Sequence, residues 1–194
     1  IPFIDGDLLS LTEKLTNPSG YPEFKLPLYI IQGVAAVVGL IITPWLFLII
    51  RKEQPWKQFL SENKTIIGYL LTAVVVISFM GFNSVIIDWN ANIQLPESLQ
   101  GLEEWARDKE NIAAELTEYL TTFDSTGLFI LAFVVIAIVP GIGEELVFRG
   151  IFQKKIMDAG LNGHLAVWAG AILFSSIHLQ FFGFFPRMFL GALF

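Results

Sequence analysis

The stretch Pro140–Gly150, PGIGEELVFRG, decides how this chain is read. It follows LFILAFVVIAIV (Leu128–Val139), twelve residues without a charge, and apolar character resumes at Leu165. Two glutamates and an arginine therefore stand in surroundings that look like lipid solvent. A charge at the bilayer centre costs about 2.5–3.5 kcal/mol on insertion scales, so three facing lipid would cost roughly 8–10 kcal/mol. That is comparable to the stability of a whole domain. Glu144, Glu145 and Arg149 are therefore expected to face one another, a buried partner or a water-filled cavity.

The rest of the chain supports the membrane setting. It is 54% hydrophobic and only 15% charged, against roughly 45–50% and about 25% in soluble domains. Apolar runs at 26–50 and 66–87 match the ~20 residues that a helix needs to cross a bilayer. A third span is expected over 128–156, and two more over 165–180 and from 184 to 194 onward. The expectation is an all-α, polytopic transmembrane bundle forming a single membrane-embedded domain over 1–194. The sequence does not start with Met and stops inside RMFLGALF, so a longer parent chain is expected. The first 25 residues are polar and lack the apolar h-region of a signal peptide. Cys is absent, which removes disulfide and thiol chemistry from these residues.

Charge bias orients the spans. The segment 51–64 carries Arg51, Lys52, Lys57 and Lys64 against Glu53 and Glu62, which places it in the cytoplasm by the positive-inside rule. The segment 88–127 has only Arg107 and Lys109 as bases and is expected outside. Lys154 and Lys155 return to the inside. Trp89, Trp56 and Tyr29 fall near span ends, as interfacial aromatics do. Within the outer segment, Leu99, Leu102, Trp105, Ala106, Ile112, Ala113, Leu116, Tyr119 and Leu120 recur at steps of three and four. That is an amphipathic helix over about 96–120, starting near Pro96. It either packs on the outer mouth of the bundle or serves as a gate. Its acidic polar face makes anionic lipid a poor partner, and no nucleic-acid partner is expected.

Helix geometry sorts the embedded charges. Glu145 and Arg149 are four apart and share a face, the usual ion-pair spacing. Glu144 points about 100° away. A carboxylate in a low-dielectric, watered cavity is a candidate general base; a structural ion pair between helices is the competing reading. Pro140, Gly141 and Gly143 suggest a kink or helix restart, whose dipole would favour ionised glutamates.

A second feature lies about thirty residues on, in FSSIHLQ, with Phe174 and His178 four apart. His164, in GLNGHL, reads as a solvated interfacial residue. A lone buried His such as His178 is commonly a satisfied hydrogen-bonding group. With Glu144 on another span, though, the two can hold and deprotonate one water. They can equally supply two ligands of a Zn²⁺ site, which normally wants three protein ligands plus water. Arg187, after Pro186, either snorkels to the interface or binds a carboxylate, from a side chain or a substrate C-terminus. Gly33, Gly39, Gly170 and Gly191 read as close helix contacts.

EELVFRG and FSSIH together resemble the Glu-Glu-x-x-x-Arg and Phe-x-x-x-His motifs of the CPBP intramembrane proteases. That family includes the CAAX prenyl proteases of the Ras-converting type and the bacterial Abi proteins. The resemblance covers about 128–194. It implies an intramembrane endopeptidase in which Glu144 is the general base and His178 its partner in activating water. It also implies that Glu145 and Arg149 orient the site and that Phe174 packs beside the histidine. Both a Zn²⁺ enzyme and a metal-free glutamate enzyme are compatible with it. A peptide or protein substrate, lipidated or not, a multi-pass location and a bacterial inner membrane follow as expectations. The family's later His-x-x-x-Asn motif, thought to stabilise the oxyanion, does not occur in these 194 residues. Such a donor is worth about 10²–10³ in rate, so these residues alone are expected to be nearly inactive. Two other classes stay open: a non-catalytic immunity or scaffold protein of the same family, and a proton-coupled carrier, against which the lack of an inverted repeat argues.

Overall fold

The computed structural model describes residues 20–54 and 65–193. Most of the expected cytoplasmic segment 51–64, with Trp56, and the polar first 19 residues lie outside them, as does Phe194. Every regular element among the described residues is helical, which bears out the all-α expectation. The helices are α1 (Pro22–Ile50), α2 (Ile66–Ala91), α3 (Gln100–Thr121), α4 (Thr126–Asp158), α5 (Gly163–Ser176) and α6 (Phe184–Leu193). α1, α2 and α4 are long and apolar enough to cross a membrane. α5 has 14 residues and α6 has 10, about 21 Å and 15 Å of helix, against a hydrocarbon core of about 30 Å.

Local chemistry starts the helices where the sequence changes character. Thr65 Oγ1 accepts from Gly68 N at 3.1 Å, Ser125 Oγ from Leu128 N at 3.3 Å, and Asn162 Oδ1 from His164 N at 2.8 Å. Each satisfies one orphan N–H of a first turn. The amphipathic helix begins with a short 3₁₀ turn, Glu97–Leu99, preceded by Pro96. It runs to Thr121, as its periodicity suggests.

Pro140 does not restart α4. The helix runs on through it, and the residues before it, Phe133–Ile138, are wound as a π-helix. Val139 N reaches back to Val134 O, five residues earlier. α1 repeats the device: π-helical Val37–Ile42 precedes Pro44, and Thr43 N bonds Val38 O. A proline lacks the N–H for its own i−4 bond, and its ring crowds that carbonyl. Widening the preceding turn takes up the mismatch. No new helix N-terminus therefore forms beside Glu144, and the expected dipole contribution there disappears.

The described residues fall into two compact units, one within 20–53 and 108–147, the other within 54, 65–107 and 148–193. In the first, Phe24, Leu28, Tyr29, Tyr119, Leu120 and Ala132 form the core. The end of α3 is sealed by α1. Tyr29 Oη donates to Leu120 O, and Lys25 Nζ donates to Thr122 O at 2.6 Å. These carbonyls belong to the last turn, which has no intrahelical donor, and a cation suits that end of the dipole. α1 and α4 meet through glycines. A Cβ on Gly33 would lie 3.3 Å from Val135, and one on Gly143 would lie 2.5 Å from Leu40 Cβ. Gly39, expected at such a contact, has nothing within 4 Å.

In the second unit, α5 and α6 pack as a hairpin against each other, and α6 also lies on the C-terminal end of α2. A Cβ on Gly191 would lie 3.1 Å from Phe174 Cδ1, and one on Gly170 would lie 3.2 Å from Gln153. These two close approaches match the sequence reading. The long outward faces of α1 and α2 are apolar and exposed, with Ile66 at 74% and Val85 at 66%. Apolar exposure on that scale suits lipid contact rather than water. The protein is an integral membrane protein.

Candidate active site

The first unit carries Glu144 and Glu145 on α4. Glu144 is half-buried and Glu145 exposed. The residue before them, Gly143, is buried directly against the backbone of Leu40, whose carbonyl O and C would lie 3.1 and 3.2 Å from an added Cβ. Glu144 therefore sits one residue from a glycine contact too close to admit a Cβ. From Glu145 to Gln153 the helix is again π-wound, a feature that recurs at functional sites.

The second unit carries the other motif. Arg149 Nη2 donates to Gly191 O on α6 at 2.9 Å, and its guanidinium lies 5.7 Å from the centre of the Phe174 ring. Phe174 is the hub: its ring meets Phe148 edge-on at 5.2 Å and His178 edge-on at 5.0 Å. Arg149 and Phe148, from the first motif, thus converge with Phe174 and His178, from the second.

α5 ends at Ser176, so His178 lies in the turn beyond it rather than on the helix. The i,i+4 relation to Phe174 survives nonetheless, because His178 Nδ1 is 2.7 Å from Phe174 O. A carbonyl can only accept, so Nδ1 carries the proton and Nε2 presents the lone pair. The imidazole is set up as a base or ligand through Nε2. The turn is strained: Leu179, next along, has φ of 52°, a left-handed conformation that costs a non-glycine residue about 1–2 kcal/mol.

Two buried polar side chains pin this turn, and sequence reasoning missed both. Ser175 Oγ, with its residue 1% exposed, donates to Phe184 O at 2.6 Å. Asn90, at 0% exposure, accepts from Phe185 N at 3.0 Å and donates to Phe181 O at 3.4 Å. The available signals were slight: a serine inside FSSIH, and an asparagine beside an interfacial tryptophan. Arg187 is half-buried and donates from Nη2 to Gln180 Oε1, folding back over the same turn. His164 is exposed, as an interfacial residue would be.

Arg107 ties the outer segment to this turn. It donates to Ala91 O at 3.3 Å and Ile93 O at 3.0 Å, pairs with Glu103 at 2.8 Å, and stacks 4.0 Å over the Phe182 ring. Glu103 also accepts from Leu95 N at 2.6 Å. That backbone N–H and the Arg107 cation hold the Glu103 carboxyl below the usual glutamate range. Trp89 packs on Phe185 at 5.2 Å. The His178 turn therefore sits at the C-terminal end of α2, the end that charge bias puts outside.

Among the described residues, no group of three His, Asp or Glu side chains is placed to hold a metal ion. A Zn²⁺ centre wants three protein ligands, so these residues alone do not make its donor set.

Residues 126–194 match the family model Type II CAAX prenyl endopeptidase Rce1-like. The matched stretch holds Glu144, Glu145, Arg149, Phe174, His178 and Arg187, and it supports the resemblance drawn from the two motifs. No curated protein and no solved structure matches the chain. A protease-type match on apolar helices points to a peptide or protein substrate met in a lipid bilayer.

Proposed function

We propose that the chain is a multi-pass intramembrane endopeptidase of the CAAX-protease type, in which Glu144 and His178 activate one water. Glu144 takes a proton from the water as its oxygen attacks the scissile carbonyl carbon. His178 Nε2 holds the same water by accepting its second hydrogen. The proton gained by Glu144 passes to the leaving amine as the C–N bond breaks, which returns the carboxylate. Glu145 and Arg149 position the site, and Phe174 fixes the face of the imidazole. The substrate is a peptide or protein segment, lipidated in the manner that the matched family name suggests, and the membrane is a bacterial inner membrane.

The observation that carries this reading is the state of His178. Its Nδ1–H is committed to Phe174 O, so Nε2 is the basic nitrogen, inside the stretch that matches an endopeptidase family. A histidine serving only to fill a hydrogen-bonding need would not require its ring to be set by a strained, doubly pinned turn.

The test is peptide cleavage by the full-length protein in lipid vesicles, followed by mass spectrometry. Glu144→Gln and His178→Ala should each lower turnover by about 10²–10⁴, the usual worth of a general base, while circular dichroism stays helical. Undiminished cleavage by Glu144→Gln would remove the assignment of the base.

A further inference from the structure

α2 is the least buried of the three long apolar helices among the described residues, with 6% of its most apolar window inside the structure. Its one fully buried side chain among the described residues is polar: Asn90. A buried amide costs free energy unless it is bonded, and Asn90 spends its bonds on a single target. Oδ1 accepts from Phe185 N, and Nδ2 donates to Phe181 O. Phe185 is in the first turn of α6, where N–H groups lack helical partners. Asn90 therefore caps α6 from another helix and holds the far side of the 177–183 turn. Ser175 grips the near side through Phe184 O.

We infer that Asn90 is a positioning residue for His178, holding the turn so that Nδ1 stays on Phe174 O and Nε2 stays presented. This rests on the reading of His178 as the working base. Leu179 supplies the reason a clamp is needed. With φ at 52°, the turn gains free energy by relaxing, and His178 is exposed, so packing alone does not keep its ring in place. Asn90 and Ser175 fix Phe181, Phe184 and Phe185, and the residues between Ser175 and Phe181 have one short path to follow.

These residues hold two histidines, His164 and His178. Nitrogen-15 NMR of histidine-labelled full-length protein, with the His178 signal assigned as the one lost in His178→Gln, reports its tautomer. The expected parent spectrum is the Nδ1–H form. Asn90→Leu should convert it to a mixture with the Nε2–H form. It should also lower kcat by roughly 10²-fold, the scale of a 1 Å misplacement, with KM within about twofold because uniform binding is untouched. Asn90→Asp keeps the acceptor for Phe185 N and should recover most of the tautomer and most of kcat. Ser175→Ala, on a different helix, should shift both in the same direction and gives the result if Asn90→Leu does not fold. An unchanged tautomer and kcat in Asn90→Leu or, where that variant does not fold, in Ser175→Ala overturns the inference, as does a parent spectrum already in the Nε2–H form. The tautomer readout needs no activity, so it decides positioning even if His178→Ala cleaves normally, a result that would remove the catalytic reading alone.

Discussion

Replacing Gly143 with Ala tests whether the α1–α4 contact sets the place of Glu144. The new Cβ would lie 2.5 Å from Leu40 Cβ and 3.1 Å from Leu40 O. Carbon atoms rest at about 3.5–4.0 Å, so the helices must part locally by roughly 1–1.5 Å. Nothing flexible can give way, because the obstructing atoms are a Cβ and backbone. Overpacking of this kind costs about 1–3 kcal/mol, and the absence of a yielding neighbour argues for the upper end. Alanine returns up to about 1 kcal/mol of helix propensity, leaving a net loss near 2 kcal/mol. For a chain of this size that is roughly 4–8 °C of melting temperature. Gly141→Ala is the matched control: two residues earlier on the same helix, with nothing within 4 Å, it should be neutral or gain up to about 1 kcal/mol. Both would be measured as apparent melting temperatures in one detergent, alongside peptide cleavage in vesicles. A displacement of about 1 Å beside Glu144 should also cost roughly 10²-fold in turnover. Equal melting temperatures for the two alanine variants would refute the contact as a determinant of the site.

Lys25→Met keeps the apolar stem but removes the cation from Thr122 O. It should lower stability by about 1.5–3 kcal/mol, the worth of a charged hydrogen bond, and a melt that leaves the midpoint unmoved would contradict this. Leu179→Gly relieves a left-handed backbone worth about 1–2 kcal/mol against the ~0.5–1 kcal/mol entropy cost of glycine. It should raise the melting point slightly while lowering turnover, since the turn then holds His178 less firmly; a fall in melting point would show that the turn is not strained. Glu103 has a depressed folded-state pKa, so its bonds stabilise the fold above the unfolded value, about pH 4.3, and are lost as pH falls through the lower folded value. The melting-point gap between the parent and Glu103→Gln should be present at neutral pH and close only well below about pH 4; a gap that does not change with pH would count against the Leu95 and Arg107 bonds as its source. Single cysteines at Lys154 and Glu110, probed with a membrane-impermeant thiol reagent on intact cells, should label only at Glu110; the reverse pattern would put the His178 turn on the cytoplasmic side.

The sequence by itself determined the solvent and the elements. Long uncharged runs leave no soluble alternative, because there is too little polar surface to face water, and helix is the one way such segments satisfy their backbone in lipid. The periodicity of 96–120 and the four-residue spacings in EELVFRG and FSSIH were also legible, since they are local, although His178 proves to stand in the turn just past the end of α5. The response to Pro140 was not: whether a proline breaks, kinks or widens a helix depends on what packs beside it, and here a π turn takes up the misfit while Gly143 stays seated on Leu40. The same holds for Asn90, Ser175 and Arg107. Asn90 lies 91 and 95 residues from Phe181 and Phe185, and Ser175 and Arg107 reach their carbonyls across turns and loops; hydrogen bonds between separate elements leave no periodic trace. Gly39 and Gly143 look alike in the sequence, but only the tertiary structure decides which of them has a neighbour too close to admit a methyl group.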